Sequence, residues 1–219
     1  SFVIWNKKEE KLFGARDPFG IKPFYYYQNE DAFLFGSEIK SFLEHPNFHK
    51  EFNEKILPSY LSFSFTPTTE TFFKGVNRLD AGHYLIMEKG NLTIQKYFHL
   101  NFLEGQDSYE QSVNKIAEVM KDSVLHHQIS DVEVGSFLSS GVDSSYIVSL
   151  AKPDKTYTVG YDISKYNEIE YAKDLAKRLQ IKNKSKKIKQ EEYLKIIPKI
   201  MYYMDEPTSD PATVALYFV

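Results

Sequence analysis

The sequence predicts two successive architectures: a β-rich region over residues 1–105 and an α/β region with a parallel sheet over residues 106–219. Three observations predict this division. Aromatic, turn-separated strand patterns crowd the first half. After residue 107 strands alternate with helices, the pattern of a parallel sheet with right-handed crossovers. Between the two, the short stretch 101–107, with Gly105 and Asp107, reads as the boundary.

In the first half, Phe2-Val3-Ile4-Trp5 reads as a buried strand, joined through Asn6-Lys7-Lys8-Glu9-Glu10 to Lys11-Leu12-Phe13-Gly14-Ala15-Arg16 as a hairpin. Asp17-Pro18-Phe19-Gly20 is turn chemistry, because Pro presets φ and Gly accepts positive φ. Pro23-Phe24-Tyr25-Tyr26-Tyr27 and Ala32-Phe33-Leu34-Phe35-Gly36 are two more strands around Gln28-Asn29-Glu30-Asp31. Residues 37–43 are a short helix candidate with Ser37 placed to cap it, and residues 54–61 are another. His83-Tyr84-Leu85-Ile86-Met87 and Leu92-Thr93-Ile94-Gln95-Lys96-Tyr97 flank Glu88-Lys89-Gly90-Asn91, a second hairpin signal.

In the second half, residues 108–127 carry helical spacing at Val113, Ile116, Ala117, Met120 and Val124. Residues 132–138 read as a strand, 139–142 as a loop, and 143–150 as a helix. Thr156-Tyr157-Thr158-Val159-Gly160-Tyr161 is a strand. Residues 168–180 form a helix with Ile169, Ala172, Leu175, Ala176 and Leu179 on one face. Residues 184–189 read as a third, short strand, and 191–204 as a helix.

Bulk properties narrow the function. Of 219 residues, 42% are hydrophobic and 26% charged, enough for an ordinary soluble core. The net charge of -3 argues against non-specific nucleic-acid binding as the main task. No run of about 18 apolar residues is present, so no membrane span is expected. No basic-then-apolar leader opens the chain, and the simplest location is the cytoplasm. With no cysteine, this chain holds no disulfide, thiolate nucleophile or Cys-based metal site. Both ends fall inside strand- or helix-like apolar stretches, so the chain is expected to be a fragment of a longer protein.

The strongest chemical signal is the strand Val134-Gly135-Ser136-Phe137-Leu138, the loop Ser139-Ser140-Gly141-Val142-Asp143-Ser144-Ser145, and the helix that follows. Small residues let backbone amides approach phosphate oxygens, and the helix N-terminus adds free amides and a favourable dipole. The hydroxyls of Ser139, Ser144 and Ser145 add donors. Asp143 would repel a phosphate directly, but a carboxylate here suits a Mg²⁺ ion bridging to the phosphates. The loop also sits at the C-terminal edge of the expected sheet, where α/β folds bind ligands. An ordinary Ser/Gly turn with Asp143 capping a helix is the competing reading. The strand before, the helix after and the density of small residues weigh against it. Neither a Walker pattern nor a dinucleotide-binding glycine pattern is present.

Leu138-Ser139-Ser140-Gly141-Val142-Asp143-Ser144-Ser145 resembles the Ser-Gly-Gly-x-Asp-Ser loop of PP-loop ATP pyrophosphatases. The preceding Asp131-Val132-Glu133-Val134-Gly135-Ser136-Phe137 is similar to the glutamine-hydrolysing asparagine synthetases in particular. So are Tyr157-Thr158-Val159-Gly160-Tyr161 and Tyr166-Asn167-Glu168-Ile169-Glu170-Tyr171-Ala172. Ala15-Arg16-Asp17-Pro18-Phe19-Gly20-Ile21-Lys22-Pro23, Phe35-Gly36-Ser37-Glu38-Ile39-Lys40 and Ala81-Gly82-His83-Tyr84 resemble the later part of that family's glutaminase domain. Asp205-Glu206-Pro207-Thr208-Ser209-Asp210-Pro211-Ala212 resembles a segment of its synthetase domain. The likeness runs the whole length, in order.

The resemblance implies an α+β N-terminal nucleophile hydrolase-type region, followed by an α/β PP-loop domain, both partial. It implies ATP and Mg²⁺ as cofactors, and aspartate, glutamine and ATP as small-molecule substrates. A homodimer stays open. Leu138 and Val159 would contact the adenosine, Ser139, Ser140, Gly141 and Ser144 would line the pyrophosphate site, and Asp143 would bind Mg²⁺. Ser140 departs from the family's usual Gly, which predicts a reduced fit or a shifted dihedral. The family's nucleophilic Cys and its later Ser-Gly-x-Gly-x-Asp-Glu segment are not in this chain. Ser1 could serve as an N-terminal nucleophile in principle, but it begins a strand that lies late in the family's glutaminase domain. The fragment is expected to be inactive alone. A related PP-loop enzyme acting on another carboxylate, such as a β-lactam synthetase, or a non-catalytic protein of the same fold, are the alternatives.

Other residues favour structural roles. For the acidic Asp205, Glu206 and Asp210, helix capping by Asp210 ahead of Pro211 is favoured over a place at the aspartate or metal site. Arg16 and Asp17 are expected to form a structural pair supporting the hairpin, a reading favoured over a place at the domain interface. His126 and His127 read as solvated helix-end residues and His83 as a satisfied strand residue. Lys182, Lys184, Lys186, Lys187 and Lys189 read as solvated surface, since no aromatic interleaves them. Phe63-Ser64-Phe65 and Phe72-Phe73 read as core or domain interface.

Overall fold

The computed structural model describes residues 1–162, 168–208 and 210–219. Tyr166 and Asn167 of the family-like stretch, and Ser209 of the acidic segment, lie outside the described residues. The chain divides into two compact units, Ser1–Phe102 with Met201–Ser209, and Leu103–Ile200 with Asp210–Val219.

The first unit holds two antiparallel sheets. One has the order β1-β2-β6-β7, with β1 at Phe2–Asn6, β2 at Lys11–Ala15, β6 at His83–Glu88 and β7 at Asn91–Lys96. The other has the order β4-β3-β5, with β3 at Tyr25–Gln28, β4 at Phe33–Gly36 and β5 at Val76–Arg78. Both predicted hairpins are present. The second closes Glu88 onto Asn91, and Gly90 supplies the turn with a φ of 80°. Strand β3 begins at Tyr25 rather than Pro23, since Pro has no N–H for a ladder.

Three consecutive tyrosines make sense in β3, because alternation sends neighbours to opposite faces. Tyr26 joins Phe24, Leu79 and Leu85, against which Val3 and Leu12 of the four-stranded sheet also pack. Tyr27 joins Ile39, Phe42, Phe48 and Val76 on the other face. Leu85 and Leu79 are withdrawn from water, each stabilising the unit by about 1.5–3 kcal/mol.

Several expectations are corrected. Residues 37–43 contain only a 3₁₀ turn, Ile39–Phe42, and Ser37 does not cap it. The Asp205 carboxylate takes the amides of Ile39, at 2.6 Å, and Lys40, at 3.2 Å. The helix foreseen at 54–61 splits into a 3₁₀ turn, Glu54–Ile56, and α1, Leu57–Phe63. Arg16 and Asp17 are structural, but not as a pair. Arg16 donates to the carbonyls of Lys22, Leu79 and Gly20 at 2.8, 2.6 and 2.8 Å. Asp17 accepts from the amides of Phe19, Ile21 and Lys22 at 3.1, 2.9 and 2.9 Å. Each ion closes the same turn by binding backbone. Phe63 and Phe65 are exposed and so not core, whereas Phe72 is buried.

The second unit holds a parallel sheet with order β10-β9-β8, from β8 at Gly135–Phe137, β9 at Lys155–Tyr161 and β10 at Lys182–Ile188. Helices α2, Tyr109–His126, α3, Val142–Ala151, α4, Ile169–Arg178, α5, Gln190–Met204, and α6, Ala212–Tyr217, complete the elements among the described residues. Helix α2 starts at a capping box in which Ser108 and Gln111 exchange side-chain and backbone bonds. Its apolar spacing is real, yet of the predicted stripe only Val124 is buried, and Val113, Ile116 and Ala117 are exposed. In α4, by contrast, Ile169, Ala172 and Ala176 are buried as the spacing predicts.

The basic run turns out to be most of β10, which starts two residues earlier than the sequence suggests. It lies at the sheet edge, where lysines discourage pairing with another strand. Lys186 pairs with Glu192 at 2.6 Å, and Lys187 pairs with Asp162. His83 lies 2.9 Å from the Ala81 carbonyl, and His126 and His127 lie 2.9 and 2.8 Å from carbonyls one turn back. No helix among the described residues is long and apolar enough to cross a membrane.

Candidate functional site

The site is built where β8 hands over to α3. The Leu138 amide donates to the Tyr157 carbonyl at 2.8 Å, and the Thr158 hydroxyl donates to the Leu138 carbonyl at 2.7 Å. The Leu138 side chain is 2% exposed and packs with Val148, Ala172 and Ala176. The residue before the loop is thus held on its backbone and its side chain, so the loop leaves the sheet from a fixed point. Gly141 ends the loop as the N-cap of α3, with φ -70° and ψ 148° and no side-chain cap bond. The first-turn amides of α3 therefore lack the usual side-chain acceptor. Asp143 sits in that first turn, exposed.

The loop satisfies most of its own donors. The Ser139 amide donates to Ser144 Oγ at 3.2 Å, and the two hydroxyls lie 2.9 Å apart. The Gly141 amide donates to Ser139 Oγ at 3.1 Å, and the Ser145 hydroxyl to the Gly141 carbonyl at 2.8 Å. The Ser140 amide reaches outside the loop and donates to Glu168 Oε2 at 3.1 Å. Ser140 is not among the residues with positive φ, so its Cβ is accommodated without left-handed strain. A Cβ on Gly141 would instead meet Ser139 Oγ at 3.2 Å, so glycine keeps that hydroxyl close.

Beside the loop opens a cavity of about 650 Å³. Of the predicted residues, Leu138, Ser139 and Val159 line it. Ser140, Gly141, Asp143 and Ser144 continue from it along the loop and the first turn of α3. Sequence reasoning missed its aromatic wall of Tyr157, Tyr161 and Tyr193, its apolar wall from Ala212, Ala215 and Leu216 of α6, and Glu168. A signal for part of this existed: Tyr157, Val159 and Tyr161 alternate along β9 and share a face. Burial pushes the Tyr161 phenol above its ordinary value, helped by Tyr193 and Asp210.

The acidic segment separates into three roles. Asp205 caps the 3₁₀ turn at Ile39 and pairs with Lys40 at 3.0 Å. Glu206 is largely buried, and burial first of all raises its carboxyl above the usual range, while one of its oxygens has no hydrogen-bond partner. Asp210 accepts from the Ala212 amide at 2.8 Å at the start of α6, in line with the capping role.

An apolar, aromatic cavity suits a flat heterocycle, and the adjoining amides, hydroxyls and helix N-terminus suit a chain of phosphates. Among the described residues no cluster of three or more His, Cys, Asp or Glu side chains could hold a metal. A lone carboxylate such as Asp143 fits magnesium that arrives already bound to phosphates, which keeps most of its other ligands from phosphate and water.

Residues 115–219 match the asparagine synthase family model, and residues 1–98 match the glutamine amidotransferase domain model. Asparagine synthetase [glutamine-hydrolyzing] 1 of Bacillus subtilis is 43% identical over the whole of this chain. The chain belongs to the family of glutamine-hydrolysing asparagine synthetases. It spans 35% of the length of the B. subtilis synthetase. A putative asparagine synthetase of Mycobacterium bovis is 33% identical over all of this chain and 35% of its own length. A putative asparagine synthetase of Methanocaldococcus jannaschii is 28% identical over all of this chain and 44% of its own length. In asparagine synthetase terms, the loop, Glu168 and the cavity fall in the synthetase match, and both antiparallel sheets fall in the amidotransferase match.

Proposed function

We propose that this chain serves ATP-dependent asparagine synthesis, with residues 106–219 as part of the PP-loop synthetase domain and residues 1–105 as the later part of the glutaminase domain. The observation that carries the proposal is the strand–loop–helix turn at Leu138 to Ser145, with Asp143 in the first turn of α3, inside a segment matching the asparagine synthase model. The two antiparallel sheets packed through Phe24, Tyr26, Leu79 and Leu85 support an N-terminal nucleophile hydrolase fold for the first part.

In the first half-reaction, an oxygen of the aspartate β-carboxylate attacks the α-phosphorus of ATP, and pyrophosphate leaves as the α–β anhydride bond breaks. Leu138 and Val159 would hold the adenosine. Ser139, Ser140, Gly141 and Ser144 would supply amides and hydroxyls to the departing pyrophosphate, where charge accumulates. Asp143 would hold the magnesium that neutralises it. In the second half-reaction, ammonia released from glutamine attacks the acyl carbon, and AMP leaves.

The test is pyrophosphate release from ATP by the full-length protein, measured with and without aspartate. Release that requires aspartate and falls by at least a hundredfold in Asp143→Ala supports the reading. Release driven by a different carboxylate would replace aspartate as the substrate, and release untouched by Asp143→Ala would remove the metal assignment.

A further inference from the structure

We infer that Glu168 is an internal stand-in for pyrophosphate: its carboxylate holds the Ser140 amide of the loop and must leave when the nucleotide's phosphates arrive. The inference rests on the loop being a pyrophosphate cradle and adds a residue that competes for it.

The Ser139 and Gly141 amides are met by neutral serine hydroxyls, which can rotate aside at little cost. The Ser140 amide is met by an anion, at 3.1 Å, from a residue 28 positions away in sequence. A bond to a charged acceptor is the stronger kind. Glu168 lines the same cavity as Leu138, Ser139 and Val159, so its carboxylate stands where a ligand passes from cavity to loop. Its backbone is anchored: the Glu168 carbonyl accepts from the Ala172 amide at 3.1 Å, and Ile169 and Ala172 are buried beneath it. Displacement is therefore a side-chain rotation, with α4 staying in place.

Two anions cannot share one amide, so each phosphate group entering the loop competes with Glu168. The carboxylate keeps the amide aimed into the site before a ligand enters, and it weakens binding of any polyanion that does not bring a cation with it. Glu168→Gln keeps an acceptor of the same shape and removes the charge. Glu168→Ala removes both.

The experiment is calorimetric titration of the full-length protein with pyrophosphate, with and without magnesium, for wild type and both variants. Both variants are expected to bind more tightly, by roughly tenfold, the equivalent of one net hydrogen bond of about 1.4 kcal/mol. The gain should be larger without magnesium. Unchanged or weaker binding in both variants overturns the inference, the latter showing that Glu168 helps hold the ligand. If the wild-type protein takes up no pyrophosphate at any magnesium concentration, the cradle reading itself falls and this inference with it. Binding that ignores residue 168 removes this inference alone.

Discussion

The hydroxyl of Thr158 donates to the carbonyl oxygen of Leu138 at 2.7 Å, and both residues are 2% exposed. Asn183 of β10 in turn donates to Thr158 Oγ1 at 2.9 Å. A buried polar chain thus runs from the edge strand through β9 to the residue that starts the loop. Buried carbonyls without donors are costly, so this chain fixes where the loop leaves the sheet. Thr158→Val keeps the shape and leaves the Leu138 carbonyl and the Asn183 amide short of partners. It should destabilise the protein by about 1–3 kcal/mol in urea unfolding, and Thr158→Ser should recover part of that loss. A Thr158→Val variant as stable as wild type would show that the chain contributes nothing.

Asp143 is exposed in the first turn of α3, so its value should lie in ligand binding. Asp143→Asn should change unfolding stability by under about 1 kcal/mol, the scale of one first-turn carboxylate on a helix dipole. Nucleotide binding should lose its magnesium dependence in the same variant. Calorimetry of ATP with and without magnesium reads this directly.

Asp205 carries a heavier structural role. It adopts a left-handed φ of 61°, its side chain is 5% exposed, and it serves two amides and the Lys40 ammonium. Asp205→Ala removes the cap and leaves the mostly buried Lys40 ammonium with Glu38 and the Tyr203 carbonyl as partners, and should cost about 2 kcal/mol. Asp205→Asn keeps an acceptor and tolerates the left-handed backbone, and should cost less. Equal losses in denaturant melts would mean that neither the cap nor the backbone preference matters.

Two carboxylates should shape acid stability in opposite directions. The amides of Lys22, Ile21 and Phe19 hold the Asp17 carboxyl down at about 2. Its folded value lies below its ordinary value, so its contribution is present above the ordinary carboxylate range and is lost as pH falls through about 2. Asp17→Asn should flatten that acid limb in melting temperatures recorded from pH 5 downward.

Glu206 works the other way, because burial raises its carboxyl. The folded state holds its proton more tightly than the unfolded chain does, so stability falls as pH climbs out of the ordinary carboxylate range. Glu206→Gln should remove that decline and leave melting temperature flatter between pH 4 and 8. A steeper slope in the variant would contradict the burial explanation.

Much of the architecture is local and therefore legible in the residues alone. The hairpins around residues 6–10 and 88–91 follow from strand alternation and turn chemistry, and α2 and α4 from their 3.6-residue spacing. The strand–loop–helix turn at 134–151 is local too, and its small residues and Asp143 are what the proposed phosphate site rests on. What the sequence left open or misread depends on partners far along the chain. Asp205, and not Ser37, caps the 3₁₀ turn because the chain returns 166 residues later. Arg16 and Asp17 form no direct pair because backbone groups hold each of them, for Arg16 including the Leu79 carbonyl 63 residues away. The solvent exposure of the α2 stripe is a matter of what packs against it, which periodicity does not report. Glu168 reaches the Ser140 amide only because α4 is buried against Leu138 and Val148. The sequence alone determined the strand–loop–helix turn, since it rests on neighbours in the chain. The tertiary structure decided which charged groups stand at that loop and at each cap, because hydrogen bonds between distant residues exist only once the core brings them together.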